Sequence, residues 1–260
     1  MKKEKTKEQR ARELKALATW KANFEEVHKK AVLKKFNKAL EKARKEARKA
    51  LEAEEGKSEA LKLCIPEKNE KMGPVPSISL LPLYTCPKLC WKTCAGECYA
   101  VRNCNFRSNT MLAGAAKNTA ILEEAPQLFW QQVEKFCSTA YFFRWHVAGD
   151  IPSAEYFSKM VEVAKRCPDC EFLVFTKHYF IVNSFMDKEE LPLNLHIIFS
   201  GWDGIKVPNP HGLPETVVYE EEEEIQKRWL LCAGECFRCA CRGLGCWKAG
   251  RGDMIALPKH

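Results

Sequence analysis

The cysteines of this chain are concentrated in two short runs, which constrain the fold more than any other feature of the sequence. The first run has four cysteines in the pattern C-x3-C-x3-C-x3-C: Cys86, Cys90, Cys94 and Cys98. The second run has five cysteines within fifteen residues: Cys232, Cys236, Cys239, Cys241 and Cys246. Thiolates at such spacings can converge on one metal centre from a loop and a helical turn. We therefore expect the fold to gather each run around a metal site.

The cellular location follows from the same cysteines and from the N-terminus. Fourteen cysteines would suggest disulfides in a short secreted protein, but the opening residues, MKKEKTKEQRARELK, lack the apolar stretch of a signal peptide. We therefore expect reduced thiols and a cytoplasmic protein. No window approaches eighteen consecutive apolar residues, so we expect no segment that spans a membrane.

The two runs differ in the metal that they favour. Structural zinc sites usually pair two C-x2-C knuckles, and the first run has none, so an iron–sulfur cluster is expected there, with Cys104 as a spare or substitute ligand. Glycines in the second run let the backbone turn tightly around a small inorganic centre. Its five thiols exceed the four that such a centre needs. The alternatives are a 4Fe-4S cluster with one free thiol and a zinc site.

The remaining cysteines are interpreted without a metal. Cys167 and Cys170 form a C-x2-C pair with no second pair nearby in sequence, and we interpret them as thiols in a loop. Cys64 and Cys137 stand alone in the sequence, and we expect both to be buried.

The middle of the chain alternates between strand and helix patterns, which predicts an α/β fold. Strands are predicted over 77–83, 141–147, 171–176 and 195–199. Helices are predicted over 107–137, interrupted at Pro126, and over 154–166, capped by Ser153, and 179–191 is less regular. Strands separated by helices pair in parallel, in an open sheet or in a full or partial (β/α) barrel. Ligands of such folds bind at the carboxyl ends of the strands.

Polar residues follow each predicted strand at that edge. The first strand leads into the first cysteine run, the second into Gly149 and Asp150, the third into Lys177, and the fourth into Ser200 and Asp203. We therefore expect a functional rim at the carboxyl ends of the strands.

The excess positive charge of the chain lies at its N-terminus. Residues 1–60 hold 19 Lys and Arg against 11 Asp and Glu, whereas the rest of the chain is balanced at 23 against 23. Residues 6–55 contain no Pro or Gly and have helical apolar spacing, which predicts one long amphipathic helix or two. The alternatives for this helix are packing on the body or on a second copy, which would give a homo-oligomer, and contact with nucleic acid or a protein partner.

These patterns divide the chain into three parts. Residues 1–60 form a basic helical extension, residues 61–225 form the α/β core with the first cysteine run, and residues 226–260 form a cysteine-rich segment.

The order of several short motifs resembles that of the phage gene product 88 family, whose members are similar to radical S-adenosylmethionine (radical SAM) enzymes. The motifs are NEKMG at 69–73, SISL at 77–80, TCP at 85–87, CYA at 98–100, HVAGD at 146–150 and TK at 176–177. The resemblance covers about residues 65–205, with thiols in a comparable place near the C-terminus and the N-terminal helix outside it.

The resemblance implies a radical SAM-like fold and a 4Fe-4S cluster whose open iron binds S-adenosylmethionine. Carried over to this sequence, the ligands are Cys86 or Cys90, with Cys94 and Cys98, and Tyr99 is the adjoining aromatic residue. The end of the second strand, Gly149 and Asp150, resembles the motif that receives the amino group of the cofactor. Ser200 and Asp203 resemble a strand end that meets its ribose.

The spacing of the first run differs from the C-x3-C-x2-C of those enzymes. Four thiols would ligate the cluster fully and leave no open iron, in which case its role is electron transfer or structure. The expected function is a radical SAM-like enzyme with an unknown substrate and a second C-terminal cluster. The alternatives are a non-catalytic iron–sulfur or zinc-stabilised module that binds nucleic acid or protein, and a redox sensor.

Overall fold

A parallel β-sheet forms the centre of the computed structural model, which describes residue 15 and residues 29–53, 58–69, 72–107, 109–203, 205–219 and 226–258. In these ranges the sheet has six strands in the spatial order β1-β2-β3-β4-β6-β5, and all neighbouring pairs are parallel. The strands are β1 Phe142–Trp145, β2 Glu171–Thr176, β3 Leu195–Ser200, β4 Glu215–Tyr219, β5 Leu230–Leu231 and β6 Met254–Pro258. The prediction of an α/β fold with a parallel sheet is confirmed.

Seven α-helices lie within the described residues: α1 Lys29–Glu52, α2 Tyr99–Arg102, α3 Asn109–Glu124, α4 Pro126–Cys137, α5 Ala154–Arg166, α6 Tyr179–Met186 and α7 Cys236–Arg242. Pro126 is the first residue of α4, where its missing N–H costs no hydrogen bond. The Ser153 hydroxyl caps α5 by accepting from the N–H of Tyr156 at 3.1 Å. Both boundaries were predicted, whereas α6 occupies part of the stretch expected to be less regular. None of the helices in the described ranges is both long and apolar enough to cross a membrane.

The predicted strand over 77–83 is wrong as a regular strand. Ser77 forms one parallel bridge with Arg144, and the N–H of Leu80 donates to the carbonyl of Ala148 at 2.9 Å, so the segment runs beside β1 for only a few residues. Pro82 has no N–H to extend the pairing, and Leu83 turns the chain with a φ of +65°. Strands β4, β5 and β6, by contrast, have no counterpart in the sequence prediction.

The two faces of the sheet are covered by different parts of the chain. Phe143 and Trp145 of β1 point to the face that packs against α4 and α5. Phe142 points to the opposite face, where its ring lies 5.4 Å from that of Trp247 in the C-terminal segment. Because side chains alternate along a strand, the C-terminal cysteines lie on the opposite side of the sheet from α4 and α5.

Helix α1 packs on the body through its apolar stripe. Phe36 and Leu40 are buried in a cluster with Leu112 of α3. Arg44 adds two hydrogen bonds to the Glu123 carboxylate, at 2.7 and 3.0 Å. This confirms packing on the body for residues 29–52. Apart from residue 15, which is also helical, the predicted helix before residue 29 lies outside the described residues.

Gly149, in the turn after β1, occupies a position that has no room for a side chain. Its φ is +81°, and a Cβ there would lie 2.6 Å from the Thr85 hydroxyl and 2.7 Å from the Leu80 carbonyl oxygen. The turn thus brings the backbone that precedes the first cysteine run into contact with the end of β1.

Gly149→Ala tests this close approach, and Gly252→Ala is its matched control. Gly252 has the same φ of +81°, but a Cβ there would have nothing within 4 Å. We expect the control to lower the free energy of unfolding by about 1 kcal/mol, from backbone strain alone. Gly149→Ala should lower it by about 2 kcal/mol more, because of the added clash. Urea unfolding under reducing conditions measures both, and equal losses would contradict the close approach.

Candidate metal centres and strand-end rim

Tight turns gather the first cysteine run. The N–H of Cys90 donates to the carbonyl of Pro87 at 2.9 Å, and the carbonyl of Cys90 accepts from the N–H of Ala95 at 2.9 Å. The thiol of Cys90 consequently lies close enough to the thiols of Cys86 and Cys94 for both to raise its pKa. We call these three cysteines the first thiol group.

The thiols of this group are electrostatically unequal. Contact with Cys90 and the positive charge of Lys177 lower the pKa of Cys94 to about 6, against the effect of burial. The pKa of Cys90 is raised by its contacts with Cys86 and Cys94 and by burial. The lowered pKa of Cys94 favours the thiolate form of this side chain, which is the form that binds metals.

Cys98 lies next to the first thiol group without joining its contacts. It immediately precedes α2, and burial, with the charges of Cys94 and Cys86, raises its pKa to about 12. Cys104 is buried beyond it, and burial and the charge of Cys98 raise the pKa of Cys104 to about 12. The closest grouping is thus Cys86, Cys90 and Cys94, whereas the family resemblance uses both Cys94 and Cys98.

Asp150 links the ends of two strands at the rim. Its buried carboxylate accepts hydrogen bonds from the Thr176 hydroxyl at 2.6 Å, from the Ile151 N–H at 2.8 Å and from the Lys177 N–H at 2.9 Å. Burial raises the pKa of Asp150 even though these donors favour the charged form. Its own N–H donates to the Thr85 hydroxyl at 3.1 Å, so Asp150 also fixes the residue before Cys86.

Ser200, at the end of β3, joins the same rim. Its hydroxyl accepts from the Lys177 ammonium at 2.6 Å, and its carbonyl accepts from the Tyr179 hydroxyl at 2.6 Å. Burial, followed by the charges of Cys90 and Asp150, raises the pKa of Tyr179. The structure therefore brings Asp150, Ser200 and the first thiol group to one edge of the sheet, while Asp203 lies in an exposed turn beyond it. Nothing in the sequence distinguished Tyr179 as part of this site.

The second cysteine run forms a second group on one face of the sheet. The pKa of Cys246 is raised to about 12 by burial and by the charges of three further cysteines, despite the opposing charge of Arg144. We call these four residues the second thiol group: Cys232, Cys236, Cys239 and Cys246. Cys241 is exposed, and its place in α7 puts it on a different face of that helix from Cys236 and Cys239.

Glycines shape this segment as the sequence suggested. Gly243 ends α7 with a φ of +57°, and the N–H of the next residue, Leu244, folds back to the Cys239 carbonyl at 2.9 Å. Gly245 has a φ of +56°, and a Cβ there would lie 3.6 Å from the Cys239 sulfur. These left-handed turns let Cys246 return to the cysteines of α7.

Arg144 places a positive charge beside the second thiol group. Its Nη1 lies 3.6 Å from the Cys236 sulfur and 3.2 Å from the Met72 sulfur, and its guanidinium lies 4.7 Å from the Phe175 ring centre. Within the described ranges no carboxylate pairs with this half-buried arginine, and its Nε has no hydrogen-bond partner. Such a cation is offset when the facing thiols carry negative charge.

Tyr99 lies near one cysteine of each run, Cys98 and Cys236. Its hydroxyl donates to the carbonyl of Val147, the second residue after β1. The hydroxyl is within electrostatic reach of Cys98, Cys236 and Arg144. The sequence placed Tyr99 beside the first group, but the approach of Cys236 depends on the fold.

The donor chemistry of the two groups fits thiophilic metals, since each consists of clustered thiols near a cation. In the side-chain arrangement of the described residues, however, no set of three or more His, Cys, Asp or Glu residues is positioned to hold a metal ion. Ligation would therefore require the thiols to rotate toward a common centre.

A family model described as Gene product 88 matches residues 32–250 of the chain. The chain belongs to the Gene product 88 family. No curated protein and no solved structure matches it significantly. The match reaches from α1 through both thiol groups, so the family extends further at both ends than the 65–205 expected from the motifs.

A third set of thiols in this Gene product 88 protein lies near the amino ends of the strands, opposite the rim. The thiol of Cys137 lies close enough to Cys170 and Cys167 for both to raise its pKa, and all three are buried. The loop position predicted for Cys167 and Cys170 and the burial of Cys137 are confirmed. The predicted burial of Cys64 is wrong, because its segment lies on the surface of α3, where its backbone bonds to the Asn118 side chain.

These exposures predict the order in which the thiols of the Gene product 88 protein are alkylated. With the protein reduced and metal-free, iodoacetamide should label the exposed Cys64 and Cys241 about tenfold or more faster than the buried Cys137 and Cys170. Added Cd²⁺, which prefers thiolates, should slow the labelling of Cys246 but not that of Cys241. Mass spectrometry of tryptic peptides measures each rate. Protection of Cys241 by Cd²⁺ would contradict the composition of the second thiol group.

Proposed function

We propose that this protein is a radical SAM-like iron–sulfur enzyme that acts on an unknown substrate. The observation that carries the proposal is the contact of Cys90 with Cys86 and Cys94, at the same strand-end rim as Asp150 and Ser200. A cluster with a bound organic cofactor requires thiols to ligate the cluster and polar groups to hold the cofactor. Here both lie at one edge of a parallel sheet.

The strand order supports a partial (β/α) barrel of the radical SAM type. The 77–80 segment lies beside β1, and β1, β2, β3 and β4 follow in the same order in space as in sequence. The connections after β1 and β2 contain α5 and α6, as in repeated β/α units.

The first thiol group and Cys98 would supply the ligands of a 4Fe-4S cluster. Such a cluster, when one iron is left open and S-adenosylmethionine is bound, supplies an electron for reductive cleavage of that cofactor. For this chemistry, the protein would hold three cysteine thiolates on the cluster and keep the fourth thiol off the open iron. The acidic Cys94 thiol, with Lys177 beside it, is already suited to ligation.

The rim would bind and orient S-adenosylmethionine. Asp150 fixes the turn of Gly149 against Thr85 and leaves backbone groups of this turn to meet the amino group of the cofactor. Ser200, held by Lys177, and Asp203 in the next turn would approach the ribose. Tyr99 would lie beside the cofactor, with its hydroxyl anchored on Val147.

The second thiol group would hold a second cluster that relays electrons or positions substrate. Four thiols satisfy a cluster fully, which leaves Cys241 free. The charge of Arg144 would offset the negative charge of the thiolates.

Release of 5′-deoxyadenosine tests the enzymatic proposal. Protein reconstituted anaerobically with iron and sulfide, then given dithionite and S-adenosylmethionine, should release 5′-deoxyadenosine, measured by liquid chromatography and mass spectrometry. No release from protein with spectroscopically intact clusters would contradict the proposal.

Single cysteine-to-serine variants identify the ligands within the same assay. Three of the four variants Cys86→Ser, Cys90→Ser, Cys94→Ser and Cys98→Ser should lower 5′-deoxyadenosine release by about 100-fold or more, because a ligand is lost. The fourth should retain most of it. Cys64→Ser is the control, since Cys64 is exposed and apart from both groups. Loss in all four variants, with the cluster retained at full iron occupancy in each, would contradict a three-cysteine site.

A zinc-stabilised binding module is the second candidate. It is favoured by the exposed lysines of α1, which are suited to a binding role without catalysis. Protein that contains zinc at both thiol groups and releases no 5′-deoxyadenosine would favour this candidate over the enzyme.

A further inference from the structure

We infer that the solvent face of α1 binds the phosphate backbone of nucleic acid without regard to base sequence. Six exposed lysines, which we call the lysine stripe, form this face: Lys30, Lys34, Lys38, Lys42, Lys45 and Lys49.

The helix aligns these lysines on one side. At 3.6 residues per turn they occupy about a third of the helix circumference, and at 1.5 Å per residue they extend over about 28 Å. The opposite side is fixed to the body by the buried Phe36 and Leu40 and by Arg44. The stripe is thus a preformed row of charges, and binding need not order the helix first.

The acidic residues near the stripe leave most of its charge unopposed. Glu41 pairs with Arg44, and Glu46 pairs with Lys42 at 3.8 Å. Among the described residues, the other five lysines of the stripe have no carboxylate within ion-pair distance. The two glutamates that are interleaved with the stripe, Glu41 and Glu46, are thus both paired.

The chemistry of the stripe favours nucleic acid over a membrane surface. Membrane-surface helices present a large apolar face to the lipid, whereas the apolar face of α1 is buried against the body. Lysines are point charges without the planar fork that reads bases, so contacts to phosphate and little base preference are expected.

Salt-dependent binding of a nucleic-acid duplex tests the inference. The probe is a fluorescein-labelled 20-base-pair DNA duplex, with an RNA duplex of the same length in parallel, and the readout is anisotropy at rising KCl. The test variant carries Lys34→Gln, Lys38→Gln, Lys45→Gln and Lys49→Gln. With about 0.9 counterions released per contact, the affinity of the wild type should fall about 150-fold more than that of the variant between 50 and 200 mM KCl.

A charge-matched control separates the stripe from net charge. It carries four substitutions of exposed lysines elsewhere: Lys135→Gln, Lys165→Gln, Lys188→Gln and Lys206→Gln. The control should bind the DNA duplex as the wild type does, and circular dichroism should show that both variants keep their helices.

Three results would overturn the inference. The first is equal loss of affinity in both variants, and the second is wild-type binding by the stripe variant. The third is failure to bind either duplex, whether or not the protein binds vesicles of phosphatidylserine and phosphatidylcholine. None of these readouts depends on metal content, so the outcome is separate from that of the enzymatic proposal.

Discussion

The rim depends on one buried carboxylate, that of Asp150. Two of the hydrogen bonds that it accepts, from Thr176 and Lys177, join the end of β1 to the end of β2, and its N–H bonds to the residue before Cys86. A buried carboxylate is costly unless its acceptor positions are satisfied, so these bonds specify one arrangement of the two strand ends. The position of the first thiol group follows, because the backbone at Gly149 lies so close to Leu80 and Thr85 that no side chain fits between them.

A second constraint is the alternation of side chains along β1. Trp145 faces the helices, whereas Arg144 reaches the C-terminal cysteines through the other face of the sheet. A single strand therefore places the rim at its end and a cation beside the second thiol group. Tyr99 lies within electrostatic reach of Cys98 and of Cys236, so one side chain senses both cysteine runs although they are far apart in sequence.

The helices and strands that could be predicted are marked by residues within or next to them in the sequence. Ser153 and Pro126 mark helix starts, and the strand over 171–176 is an apolar run with clear boundaries. Strands β4, β5 and β6 lie beside charged residues or cysteines that obscure a strand pattern, and pairing with sequence-distant strands is what makes them strands.

The candidate site, too, has features that the sequence indicated and features that depend on the three-dimensional fold. Spacing alone indicated that each cysteine run would converge, and it identified the polar residues at the strand ends. It did not show that Cys241 faces away from its neighbours or that Arg144 faces Cys236, because both depend on which side of a helix or strand is covered. The contact between Cys137 and Cys170 likewise joins segments that no local pattern relates.

The most direct test of the central claim, that the clustered thiols hold iron and sulfide, is the metal content of protein purified without exposure to oxygen. The account predicts brown protein in which iron and acid-labile sulfide are present in similar amounts. It also predicts that both fall when the four cysteines of the first run are replaced by serine. Colourless protein with zinc, or with no metal at either thiol group, would contradict it.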